Sequence, residues 1–121
     1  MRKNQKMQEL PTINIENGMP SLQEAKRIMA QFINESKHLG RKAIKIIHGY
    51  GSSGVGGKLR VGLRQELEIR KRDRKIRDFF PGEQFGRSNA ELSAYINQIS
   101  QLPRDPDFDQ KNPGITIVIL G

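Results

Sequence analysis

The chain contains no cysteine and no tryptophan, and aromatic residues make up 6% of its 121 positions. Without cysteine there is no disulfide, no thiolate metal site and no sulfur nucleophile. So few rings imply a small aliphatic core and leave little surface for stacking on bases. No apolar run approaches the ~20 residues of a membrane span. The polar start MRKNQKMQEL also lacks the apolar stretch of a secretory signal. We therefore expect no membrane partner and a cytoplasmic location. A chain of this length has room for one domain, which buries roughly two thirds of the surface its unfolded form exposes.

What is abundant is positive charge. The formal net charge is +8, and residues 58–77 alone hold nine Lys or Arg against three Asp or Glu. A concentrated surplus of this kind points to a polyanionic partner, whereas an even spread would point only to solubility.

Residues 1–10 are polar and read as a flexible segment preceding a domain over 11–121. Thr12-Ile13-Asn14-Ile15 alternates as a short strand. Ser21 and Glu24 have capping-box spacing, Ala25, Ile28, Met29, Phe32 and Ile33 share one helical face, and Gly40 supplies the stop. Ala43–Ile47 (AIKII) is a second strand, parallel to the first through a right-handed crossover. Leu59, Leu63 and Leu67 predict a helix over 58–71, whose basic far end also suits the helix dipole. Residues 76–80 read as a third strand and 115–120 as a buried last one. Between them, Ser88 and Glu91 predict a capped helix with a Leu92, Tyr95, Ile96, Ile99 stripe, stopped by Pro103. Asp105, Asp107 and Asp109 read as an exposed, solvated loop. A calcium loop counted from Asp105 needs glycine sixth and glutamate twelfth, where Gln110 and Thr116 stand. The order predicts an α/β two-layer sandwich: a βαβαββ mixed four-stranded sheet, with residues 83–112 inserting an extra helix before the last strand.

The stretch IIHGYGSSGVGGKLR, residues 46–60, joins the second strand to the basic helix. Gly49, Gly51 and Gly54 fit G-x-G-x-x-G, yet the chain is too short for two mononucleotide-binding halves and lacks a well-placed acidic partner. The phosphate-loop pattern fails at Ser52, where a glycine belongs, and at Leu59, where a hydroxyl should reach magnesium. Both patterns share a backbone that turns sharply and offers N–H groups at a helix start, with Lys58, Arg60 and Arg64 close behind. That combination suits the phosphates of a nucleic-acid backbone, read by charge and shape. The competing reading is a long loop whose glycines serve geometry alone.

His48-Gly49-Tyr50-Gly51, more glycines and then Leu59-Arg60 resemble the H-G-x-G-x-G…L-R signature of small MutS-related (Smr) domains. Gly114-Ile115-Thr116-Ile117-Val118 resembles that family's closing strand, and the resemblance spans about 12–82 and 113–121. It implies nucleic-acid binding and, in some members, metal-assisted cleavage of DNA or RNA at this turn. The family's first strand usually carries L-D-x-H-G; here Asn14, Glu16 and Asn17 stand in place of the acid, the histidine and the glycine. An amide is neither a base nor an anionic metal ligand, so the chain could bind without cutting.

The candidate binding residues are thus His48, Gly49, Tyr50, Gly51, Ser52, Ser53, Gly54, Gly56, Gly57, Lys58, Arg60 and Arg64, contacting DNA or RNA backbone with little sequence selectivity. Binding requires no cofactor. The alternative is an endonuclease centred on His48 with Glu16 orienting it or helping to hold Mg or Mn, His48 being able to exchange a proton near neutral pH. A structural hydrogen bond from His48 is the competing account. A third reading is an adaptor docking on a ribosome or a protein through the inserted helix, 88–102. His38, near a helix C-terminus, is explained by the dipole.

Overall fold

The computed structural model describes residues 9–50 and 55–121, leaving aside the side chains of residues 55 and 56. The elements run β1 (Thr12–Asn14), α1 (Leu22–His38), β2 (Ala43–Ile47), α2 (Val55–Arg72), β3 (Asp78–Pro81), a 3-10 turn (Gly82–Gln84), α3 (Ala90–Ile96), α4 (Gln101–Arg104) and β4 (Ile115–Ile119). The strands form one sheet in the order β1-β2-β4-β3. β1 and β2 are parallel, while β4 runs antiparallel to both β2 and β3. This is the mixed four-stranded α/β sheet read from the sequence.

α1 starts where Ser21 accepts a hydrogen bond from the Glu24 amide, while the Glu24 carboxylate pairs with Arg27. Ala25, Met29 and Ile33 are buried, with Ile28 and Phe32 packed beside them. α1 ends with the amides of Gly40 and Arg41 bonded back to the carbonyls of Lys37 and Ser36, closing the helix around a left-handed residue.

Alternation along β2 and β4 sends side chains to two separate cores. Ile44, Ile46 and Val118 meet Met29, Ile33, Leu59, Leu63 and Leu67 under α1 and α2. Ala43, Ile117 and Ile119 face the other way and meet Phe80, Phe85, Leu92, Leu102 and Phe108. The two-layer arrangement thus holds for α1 and α2, and residues 83–112 add cover to the second face. All five residues of β4 are buried, as a strand covered on both faces requires.

The inserted segment differs in detail from its sequence reading. Its cap is Asn89, one residue past Ser88, whose side chain accepts from the amides of Glu91 and Leu92. The single helix expected over 88–102 is two short ones. Pro103 does not stop it but lies in the first turn of α4, where a missing N–H removes no intrahelical bond. The acidic loop is solvated only in part: Asp109 is exposed, whereas Asp105 and Asp107 are half-buried. Lys45, on β2 and 7% exposed, donates to Asp105 at 3.0 Å and to Asp107 at 2.8 Å, and Asp109 pairs with Arg87. Where the segment leaves and rejoins the sheet its two stems touch: a Cβ on Gly82 would stand 1.8 Å from the Asn112 carbonyl oxygen. No helix among the described residues is long and apolar enough to cross a membrane.

Candidate nucleic-acid interface

β2 delivers His48 to the carboxyl edge of the sheet, and the chain turns immediately behind it. The amides of His48 and Gly49 both donate to the Gly114 carbonyl, each at 3.0 Å. These two N–H groups are therefore internal bonds, not the open anion receptor read from the glycine pattern. Gly49 takes φ +80°, and a Cβ there would stand 2.4 Å from a Glu16 carboxylate oxygen. The left-handed backbone there favours glycine, whereas the exposed Glu16 side chain is free to swing aside. Gly51, Ser52, Ser53 and Gly54 lie outside the described residues.

His48 is fully buried, with both ring nitrogens engaged. Nδ1 lies 2.7 Å from the Gly49 carbonyl, which can only accept, so Nδ1 carries the hydrogen. Nε2, 2.8 Å away from Thr116 Oγ1, must then accept the Thr116 proton. Thr116 Oγ1 in turn accepts from Arg64 Nε at 3.0 Å. Burial is the main reason the His48 pKa falls to about 4, with Arg64 and Arg60 adding to it against the pull of the Gly49 carbonyl. At neutral pH the ring is uncharged and its tautomer fixed. Glu16 is exposed and takes no part in orienting it.

Arg64, expected to meet phosphate, is held inside the protein. Besides Thr116 it donates to the Ile115 carbonyl at 3.0 Å and pairs with Glu83 at 3.0 Å, leaving 18% of its side chain exposed. It staples α2 to the start of β4. Burial works to raise the Glu83 pKa, but its own backbone N–H and the Arg64 pair outweigh this and leave it lowered.

Lys58 and Arg60 behave differently. Neither forms an ion pair or a side-chain hydrogen bond among the described residues, and both border a groove of about 580 Å³ at the first turns of α2. Tyr50 and Val61, both more than half exposed, line the same groove with Leu22 and Gly57. The groove therefore combines two unpaired cations with an apolar wall carrying one ring. Gly56 also falls in the first turn of α2.

A metal has no evident holder here. Among the described residues no group of three His, Asp or Glu side chains could ligate one, and the His48 nitrogens are both occupied. The residues do not fit a Mg or Mn centre built on His48 and Glu16. Thr116 and the internal role of Arg64 escaped sequence reading; the signal for Thr116 was its place as the lone polar residue in ITIVI.

A mixed sheet with a glycine turn at the carboxyl edge of β2, and a groove at the following helix start, defines a small α/β domain with its candidate site at the strand ends. The Smr domain model matches residues 17–88, and the chain belongs to that family. In structure it is similar to the Smr domain of Thermus thermophilus MutS2, with a TM-score of 0.58 at 20% identity, covering 93% of this chain and 99% of that one. This likeness is one of fold. No curated protein matches the chain. Smr domains bind nucleic acids in general.

Proposed function

We propose that this Smr-family protein binds the sugar–phosphate backbone of DNA or RNA at the groove beside the β2–α2 turn, with Lys58 and Arg60 as its phosphate contacts. One observation carries the reading: both cations border one groove, and neither lies within ion-pair distance of a carboxylate among the described residues, Arg60 feeling Glu83 only at longer range. Arg64 supports the site from behind by fixing α2 against β4. Backbone contacts of this kind give weak sequence selectivity and release counterions, so affinity falls as salt rises. No observation favours the endonuclease reading, because the buried His48 ring has no free nitrogen to offer a substrate.

A salt titration of duplex and single-stranded probes tests this. Lys58→Ala/Arg60→Ala should weaken all sequences alike and reduce the log–log salt slope on duplex DNA by about 2. An unchanged slope and affinity would clear the groove of the role.

A further inference from the structure

β2 and β3 both run antiparallel to β4, so they start at the same edge of the sheet, opposite the glycine turn. α1 and α2 each return from the turn edge, and both end at that far edge. Lys37, in the last turn of α1, donates to the Lys75 carbonyl just past α2 at 2.8 Å, which fixes the two helix ends side by side. The basic run of 58–77 is thus divided by an 18-residue helix, about 27 Å long. Lys58 and Arg60 lie at one end of it, and most of the charge lies at the other.

The far edge gathers Lys37, Arg41, Lys42, Arg74, Lys75 and Arg77, none with a carboxylate partner among the described residues. Asp73 and Asp78 are already taken, by Arg72 at 3.1 Å and by Lys71 at 3.0 Å, which leaves Glu35 in the last turn of α1 as an exposed acid near six cations. Two helix C-termini contribute only about one negative charge between them, so the dipoles account for a small part of this cluster. Lys42 and Arg77 flank the end of β4 from either side: Leu120 N donates to the Lys42 carbonyl and Arg77 N to the Ile119 carbonyl. Arg74 occupies the left-handed closing position of α2 at φ 61°, where α1 uses Gly40. A cation stands where the backbone favours glycine.

We propose that this far edge is a second polyanion site, taking the sugar–phosphate backbone of a separate nucleic-acid segment. The helix length between the two cationic surfaces exceeds the ~8–10 Å Debye length several-fold, so each acts as its own binding surface. With the turn-side groove as the other contact, the protein bridges two segments. The far-edge site itself does not depend on that groove; the bridging, and the capture that reports it, rests on the proposed function.

The test uses short duplex DNA and duplex RNA of equal length, each measured in solution across a salt series. A second format asks whether an immobilised duplex, with protein bound, captures a labelled second duplex. The far-edge variant is Lys42→Gln/Arg74→Gly/Lys75→Gln/Arg77→Gln, with glycine chosen at 74 to suit its backbone. A thermal melt checks that it folds, and Lys42→Gln/Arg77→Gln serves as the milder version. We expect the full variant to lower the duplex DNA salt slope by about 4 and the milder one by about 2, with second-duplex capture lost. Unchanged slope and capture would overturn the proposal. Lys58→Ala/Arg60→Ala separates it from the groove reading. If that variant binds like the native protein while the far-edge variant does not, the groove reading fails and the far-edge site stands. The reverse pattern removes the far-edge site alone. Equal response of DNA and RNA marks simple backbone recognition, and response of one alone assigns the site to that polymer.

Discussion

Each face of the sheet buries one basic side chain from the β2 segment, and the two are accommodated in opposite ways. Under α1 and α2, His48 is kept neutral by burial, and each ring nitrogen has one partner, the Gly49 carbonyl or the Thr116 hydroxyl. Under the inserted segment, burial works against the Lys45 charge, but Asp107 and Asp105 outweigh it and raise its pKa. A neutral ring needs only a donor and an acceptor, supplied here by the next residue and the neighbouring strand. A buried charge needs carboxylates, and these come from the loop some 60 residues on. His48 itself stays uncharged at the head of a hydrogen-bonded chain that runs through Thr116 to the Arg64–Glu83 pair, whereas Lys45 keeps its charge and is met directly by carboxylates.

That contrast can be broken by experiment, most forcefully at Lys45. Lys45→Ala leaves the buried Asp105 carboxylate and the half-buried Asp107 one without their cation and should cost about 3–5 kcal/mol in urea unfolding. Adding Asp105→Asn and Asp107→Asn should recover much of the loss; no recovery would mean the ions do not act as a unit. A slightly smaller effect belongs to His48. The unfolded chain takes up a proton near pH 6.5 and the folded one only near 4, so acid favours unfolding across that window. The fall should be on the order of 3 kcal/mol, and His48→Gln should flatten the stability profile between those values. Asp107, held below its ordinary range despite burial by Asn112 and Lys45, sustains the ionic face until more acid conditions. Least disruptive is Thr116→Val, which leaves Arg64 Nε and His48 Nε2 each short of a partner, at about 1–3 kcal/mol. A thermal melt indistinguishable from the native protein would show the relay to be idle.

The parts legible in the sequence were those specified by near neighbours. Ser21 and the Ala25, Met29, Ile33 stripe define α1 within one helical face, and Leu59, Leu63 and Leu67 define α2. The parallel pairing of β1 with β2 followed from the crossover, and the burial of β4 from its being apolar on both faces, whereas the order that puts β4 between β2 and β3 was not read. Long-range pairing was not legible. Lys45 looked like an ordinary break in AIKII, and its partners looked like a polar loop, because nothing local links residue 45 to residue 105. Arg64 counted toward a basic run, yet its guanidinium donates to the Ile115 carbonyl and the Thr116 hydroxyl of β4. Ser88 lost to Asn89 because two good capping residues stood side by side and the backbone chose the second.

The pinched stems at Gly82 and Asn112 make residues 83–112 a cassette whose entrance and exit meet, and any replacement would have to bring its own roof and its own carboxylates for Lys45. It is not a removable ornament, however. Phe80, Ile115, Ile117 and Ile119 rely on it as their roof, and cutting it out would leave an oily sheet face open to water and to neighbouring molecules. The segment can be exchanged but not dispensed with.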